Sequence, residues 1–192
     1  MVRDADRYED FERVVELRKR ALLLDERTFV TNYDSFALLV IPPDGTAGRK
    51  ATVQGPTQLE ESYRATILVE DSVEVDPAMV AAFLERVAFV RKRPGNPFPN
   101  MISIGRARNS DLMLMLPSIS KLHGYFLADG DGWSLTDWNS TNGCTLNGER
   151  LAPRAPRKLD DDDVIGLGLE FRARYLTPSH LFSVLTQTAT TL

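Results

Sequence analysis

The 192-residue sequence holds one cysteine, two histidines and two tryptophans. The lone Cys144 excludes an internal disulfide framework and any cysteine-rich zinc site, and two histidines leave little for a metal cage, so neither a metal nor a cofactor is expected. The start, Met1-Val-Arg-Asp-Ala-Asp-Arg7, lacks the apolar stretch of a signal peptide, and apolar runs such as Phe36 to Ile41 are far too short to span a bilayer. A cytoplasmic protein without a membrane partner is the expectation. An excess of basic charge is lacking too: 23 Lys and Arg against 27 Asp and Glu leave a net charge of −4. A general nucleic-acid binder needs clustered cations to release counterions. Any anion recognised here must therefore be small and locally held.

What is present is a globular composition, 43% apolar, in a chain long enough for one or two domains. Phe11, Val14, Val15, Ala21 and Leu22 recur near helical spacing and predict an amphipathic helix from Asp6 to about Arg27. Ser35–Ile41 and Tyr63–Glu70 read as strands around a loop at roughly residues 42–60. Asp76-Pro77 reads as a helix start, followed by Met79, Val80, Phe83, Leu84, Val87 and Val90 up to Arg93. Pro94-Gly-Asn-Pro-Phe-Pro-Asn100 carries three prolines and cannot continue a helix, so a domain boundary is placed at residues 97/98.

Beyond it the chain becomes short extended pieces separated by turn residues: 101–105, 112–116, 124–128, 133–137, 144–146, 164–166 and 169–176. Such spacing predicts a β-sandwich of two antiparallel sheets. Its core would draw on Ile102, Ile104, Leu112, Leu114, Tyr125, Leu127, Trp133, Leu135, Leu146, Ile165, Leu167, Phe171 and Tyr175. A short helix is expected from Ser179 to about Thr186, closing the tail 179–192. The predicted fold class is mainly β, the sandwich following an α/β extension of about two helices and two strands.

The chemically informative residues fall in loops, where sites concentrate. Arg106 offers a planar fork of donors suited to phosphate, Ser120 and Thr141 offer short hydroxyls, and Ser140-Thr-Asn-Gly143 is a turn able to aim backbone N–H groups at an anion. Asp129-Gly-Asp-Gly132 suggests calcium at first sight, but Ser140 stands where the EF-hand glutamate belongs. A hairpin turn is the better reading. Residues 1–97 contain neither His nor Cys and no phosphate-cradling loop, so nothing there supports an enzyme.

Gly105-Arg106, Asp111-Leu112, Ile119-Ser-Lys-Leu-His123, Trp133, Asp137, Ser140-Thr-Asn-Gly143, Leu146-Asn-Gly148 and Asp163-Val-Ile165 with Gly168 follow one another in a pattern that resembles the forkhead-associated (FHA) domain, a phosphothreonine-binding β-sandwich. The resemblance covers about residues 98–178 and suggests an FHA-domain protein of bacterial type with an unassigned extension. It implies that Arg106 and Ser120 bind a phosphothreonine phosphate, that Lys121 or its backbone and Thr141 add contacts, and that Asn142 bonds the peptide main chain. It further implies structural support from Gly105, His123, Ser140, Gly143 and Asn147. The implied activity is non-enzymatic: an adaptor for a phosphothreonine-containing protein, a Ser/Thr kinase or its substrate. The alternative is a phosphorylation-independent scaffold or subunit using the N-terminal half, with 77–93 as its helical face. Two departures stand out. Cys144 replaces the usual Thr with a weaker donor, and Asp162 occupies a usual Gly, where a positive φ would carry a modest strain cost.

Overall fold

A computed structural model describes residues 11–41, 86–94, 96, 98, 100–130 and 132–187. Among the described residues twelve strands form two sheets. In the seven-stranded sheet the order is β1 (Phe11–Arg13), β3 (Arg86–Phe89), β2 (Ala37–Val40), β12 (Phe171–Leu176), β11 (Val164–Leu167), β8 (Cys144–Leu146) and β9 (Glu149–Arg150). The five-stranded sheet runs β10 (Arg157–Lys158), β7 (Gly132–Asp137), β6 (Gly124–Asp129), β4 (Met101–Gly105) and β5 (Leu112–Met113). All pairings are antiparallel except β4 with β5. Ile102, Ile104, Phe126 and Leu135 of the smaller sheet meet Leu38, Ile165, Leu167 and Phe171 of the larger in one continuous core.

A second apolar cluster lies on the other face of the larger sheet. Helices α1 (Val14–Ala21), α2 (Glu26–Asn32) and α3 (Pro178–Gln187) bury Leu17, Ala21, Phe29, Leu181 and Leu185 against Ala37, Val87 and Leu176. The architecture is thus helices, a large sheet and a small sheet. Among the described residues no helix is long and apolar enough to cross a membrane.

The expected strands of residues 101–176 are found with ends shifted by a few residues, and the closing helix is α3. Other expectations need correction. The single helix over 6–27 is divided: Phe11–Arg13 pairs with β3 instead, and a new helix starts where the Asp25 carboxylate caps the Thr28 amide at 2.8 Å. The expected helix reaching Arg93 is, over Arg86–Phe89, a strand hydrogen-bonded between β1 and β2. Val87 faces the helices and Ala88 faces the sandwich core, both fully buried. A strand covered on both sides shows no alternation, which is why its apolar run imitates a helix. Tyr63–Glu70, the loop 42–60 and the start at Asp76-Pro77 lie outside the described residues.

Core parity in β6 is also opposite to expectation. Phe126 is fully buried, whereas Tyr125 and Leu127 point to the outer face and are half-exposed. The large sheet crosses the expected boundary at 97/98, since β2 pairs residue by residue with β12 from Ala37–Leu176 to Val40–Ala173. Arg93 and Asn96, at the start of the proline-rich connector, are held as well. Buried Asp111 accepts hydrogen bonds from the Arg93 amide (2.9 Å), the Ser103 amide (2.7 Å) and the Asn96 side chain, with Lys92 at 3.3 Å. Burial pushes the Asp111 carboxyl up, but the amides of Ser103 and Arg93 outweigh it and hold its pKa below the ordinary value.

Candidate functional site

Register places four loops at one end of the sandwich: the exits of β4 and β7, the entry to β6 and the β11–β12 turn. The β4 exit approaches the loop before β6 very closely. The Arg106 amide donates to the Ser120 carbonyl (2.9 Å) and the Ala107 amide to that of Lys121 (3.1 Å). A Cβ on Gly105 would stand 2.2 Å from the Lys121 oxygen, a backbone atom that cannot swing away. Gly105→Ala is therefore expected to cost about 1–3 kcal/mol. Denaturant melts would show it, and an unchanged midpoint would contradict this close approach.

Arg106 is exposed, its Nε donating to the Ile119 carbonyl at 3.2 Å, and its terminal nitrogens have no partner among the described residues. Ser120 Oγ lies 3.4 Å from Thr141 Oγ1 and accepts the Thr141 amide at 3.1 Å. Two hydroxyls from separate loops thus meet beside the arginine. Asn142 Nδ2 donates to the Ser118 carbonyl at 2.8 Å, leaving its Oδ1 unengaged among the described residues. Lys121 is exposed.

Beneath this surface, fully buried His123 ties the loops together. Its Nδ1 accepts the Ser120 amide (3.2 Å), so Nδ1 is unprotonated, and Nε2 faces the Gly143 carbonyl (3.1 Å) and donates to it. The ring is the neutral Nε2–H tautomer. Asp137 Oδ1 accepts from Ser140 Oγ (2.6 Å), and Ser140 Oγ in turn accepts the Gly143 amide (2.9 Å), fixing the turn that carries Thr141 and Asn142. Cys144 donates its weak S–H to the same carboxylate at 3.4 Å, and burial next to Asp137 keeps that thiol protonated. Ligand-capable atoms of His123, Asp137 and Cys144 lie within 4.8 Å of one another. Hydrogen bonds from these three groups tie the β6 entry, the β7 exit and the Ser140–Gly143 turn together, so the trio works as a brace.

The structure thus brings Arg106, Ser120, Thr141 and Asn142 to one end of the sandwich, with Gly105, His123, Ser140 and Gly143 below. Asn147 is elsewhere. At φ 52° it ties the β8–β9 turn to Asp163 (2.7 Å) and Val164 (2.9 Å) and touches none of these loops. Asp162 does adopt φ 78°, the left-handed region, where Arg174 bonds its carboxylate. Two contributors escaped the sequence reading. Ser118 holds Asn142 through its carbonyl and accepts the Leu169 amide with Oγ (3.0 Å), and Glu170 lies in the adjacent turn. Ser118 acts across 24 and 51 residues of sequence, which spacing does not record.

Glu170 is 7% exposed; neither carboxylate oxygen reaches full hydrogen-bond geometry among the described residues, although the backbone amides of Glu170, Ser118 and Leu169 lie near enough to offset part of its burial. Burial raises its pKa, so its stabilising contribution is present below the ordinary value of 4.5 and is lost as pH rises through the elevated value. His123 has the opposite sign. Burial lowers its pKa, so its contribution is complete above the ordinary 6.5 and is lost as pH falls through the depressed value. Glu170→Gln removes the charge from this buried position and is expected to stabilise the protein at neutral pH by about 1–3 kcal/mol. The gain should shrink on acidification. Thermal melts from pH 4 to 8 check this, and a destabilised variant at pH 7 would show that the carboxylate has a partner.

The FHA-domain family model matches residues 102–168, the segment that supplies these loops. This chain carries an FHA domain. The FHA segment is also similar to the E3 ubiquitin-protein ligase rnf8 of Danio rerio, 36% identical over 73 residues, which are 35% of this chain and 15% of that protein. The FHA domain of an Arabidopsis thaliana hypothetical protein is 30% identical, covering 44% of this chain and 70% of that one, with a TM-score of 0.39. EmbR of Mycobacterium tuberculosis, solved with a low-affinity phosphopeptide, is 24% identical over 41% of this chain and 20% of its own, with a TM-score of 0.38.

Proposed function

We propose that the chain is a phosphothreonine-dependent adaptor whose FHA loops dock onto a protein phosphorylated by a Ser/Thr kinase, the kinase itself or its substrate. One observation carries this reading: the exposed Arg106 fork with open terminal nitrogens stands on the loop bonded to Ser120, whose hydroxyl meets that of Thr141. A planar guanidinium and two rotatable hydroxyls supply charge-assisted donors to a tetrahedral dianion. Lys121 adds charge at the rim. The unengaged Asn142 Oδ1 is suited to accept a main-chain N–H of the peptide next to the phosphothreonine.

The arrangement binds and does not catalyse. Both nitrogens of His123 are occupied and the ring is fully buried, and the neighbouring Ser140 hydroxyl, 3.4 Å from Nε2, is committed to Asp137 and to the Gly143 amide, which supports a bracing role over general base catalysis. For so small a contact an affinity in the micromolar range, about −8 kcal/mol, is expected. Fluorescence-polarisation titration with a degenerate phosphothreonine peptide library, its phosphoserine counterpart and the unphosphorylated set tests the proposal. Selective binding of the phosphothreonine set supports it. Equal binding of all three sets would overturn it.

A further inference from the structure

An open groove of about 770 Å³ lies next to the proposed phosphate site and is continuous with it through Lys121. One wall is formed by Arg93, Pro94, Asn96 and Phe98 and the other by the loop Ala107–Ser110. Its lining contains three cationic side chains, Arg93, Arg108 and Lys121, and no carboxylate, in a chain whose net charge is −4. Arg108 and Lys121 are exposed and form no ion pair among the described residues. The nearby carboxylate of Asp111 is turned away from the groove, buried under the Arg93 and Ser103 amides and paired with Lys92 at 3.3 Å.

Two large apolar side chains complete the lining in an unusual state for such residues: Phe98 is 57% exposed and Leu122 is 41% exposed. Asp111 also holds two residues of this wall, through the Arg93 amide and the Asn96 side chain. An extended peptide advances about 3.3 Å per residue. Residues just beside a phosphothreonine held at Arg106 and Ser120 therefore reach a groove that begins at Lys121.

We infer that this groove reads the flank of the phosphopeptide, selecting a segment in which acidic residues alternate with large apolar ones. The inference rests on the phosphothreonine reading and adds the class of partner sequence. The carboxylates meet Arg108 and Lys121, while the apolar side chains cover Phe98 and Leu122. Because Arg108 and Lys121 are exposed, selectivity falls as salt is raised.

The test uses the full chain and three peptides sharing one central phosphothreonine, with the flanking residues on both sides Asp/Leu-rich, Ser/Ala-rich or Lys/Ser-rich. The acidic-apolar peptide is expected to bind roughly five- to tenfold more tightly than the neutral one, the scale of two or three exposed charge pairs, and the lysine peptide more weakly. Arg108→Glu should cancel or reverse that order while keeping discrimination between each peptide and its unphosphorylated form, and Phe98→Ala should remove the leucine contribution alone. Phosphate-dependent binding with equal affinity for all flanks would overturn the groove assignment and leave the phosphothreonine reading standing. An acidic preference untouched by Arg108→Glu would overturn it equally. Binding independent of phosphate on every flank would overturn both.

Discussion

Arg106→Ala is expected to lower phosphothreonine-peptide affinity by a hundredfold or more while the protein remains folded. Each charge-assisted hydrogen bond contributes roughly 1.5–3 kcal/mol, so losing the two that a guanidinium fork can make removes about two decades of affinity or more. Little structural cost opposes this. The side chain is exposed and makes one hydrogen bond within the protein, from Nε to Ile119, while the close approach of the loops runs through the Arg106 amide, which alanine keeps. Arg106→Lys separates charge from shape: a point charge should recover part of the affinity, but not the bidentate share. Polarisation titrations of the three proteins, each checked by thermal melting, decide the matter. A folded alanine variant that binds as well as the parent would remove Arg106 from the site.

Much of this end of the molecule is legible in the sequence because its chemistry is local. Ser140 to Gly143 form a turn whose hydrogen bonds close within a few residues. The left-handed conformation anticipated at Asp162 is found for the same reason. What escaped is what depends on distant partners. Ser118 bonds Asn142 across 24 residues and Leu169 across 51, and no local spacing marks it.

The N-terminal half shows the same limit on a larger scale. Periodicity separates helix from strand only where one face is wet, and β3 is covered by helices on one side and by the sandwich on the other. Its burial on both sides is a property of the assembled sheet. Similarly, Tyr125, Phe126 and Leu127 are all apolar, so composition leaves open which of them points inward. The pairing of Phe126 with Ile102 and Leu135 decides it.

Phe36→Ala carries the largest expected effect on stability of any single substitution, and it concerns a residue outside the matched family segment. Phe36 precedes β2 and is 3% exposed. Its ring lies 4.9 Å from that of Tyr175 and 5.0 Å from those of Phe126 and Trp133, so one aromatic side chain joins both sheets. Its carbonyl also accepts the Val90 amide at 3.0 Å. Truncation leaves a cavity where three rings converge and should cost about 3–5 kcal/mol, lowering the melting temperature by roughly 10 °C in a chain of this size. Deleting residues 1–97 goes further. It strips the hydrogen-bonded neighbour from β12 along Ala173–Leu176 and uncovers the helix-facing side of the sheet, turning a central strand into an exposed apolar edge. The fragment 98–192 is therefore expected to be aggregated or unfolded at temperatures where the full chain is native, as judged by calorimetry and size-exclusion chromatography. A fragment that melts like the full chain would make the extension an independent unit. Phosphopeptide binding by that same fragment would show that the FHA loops need no support from β2.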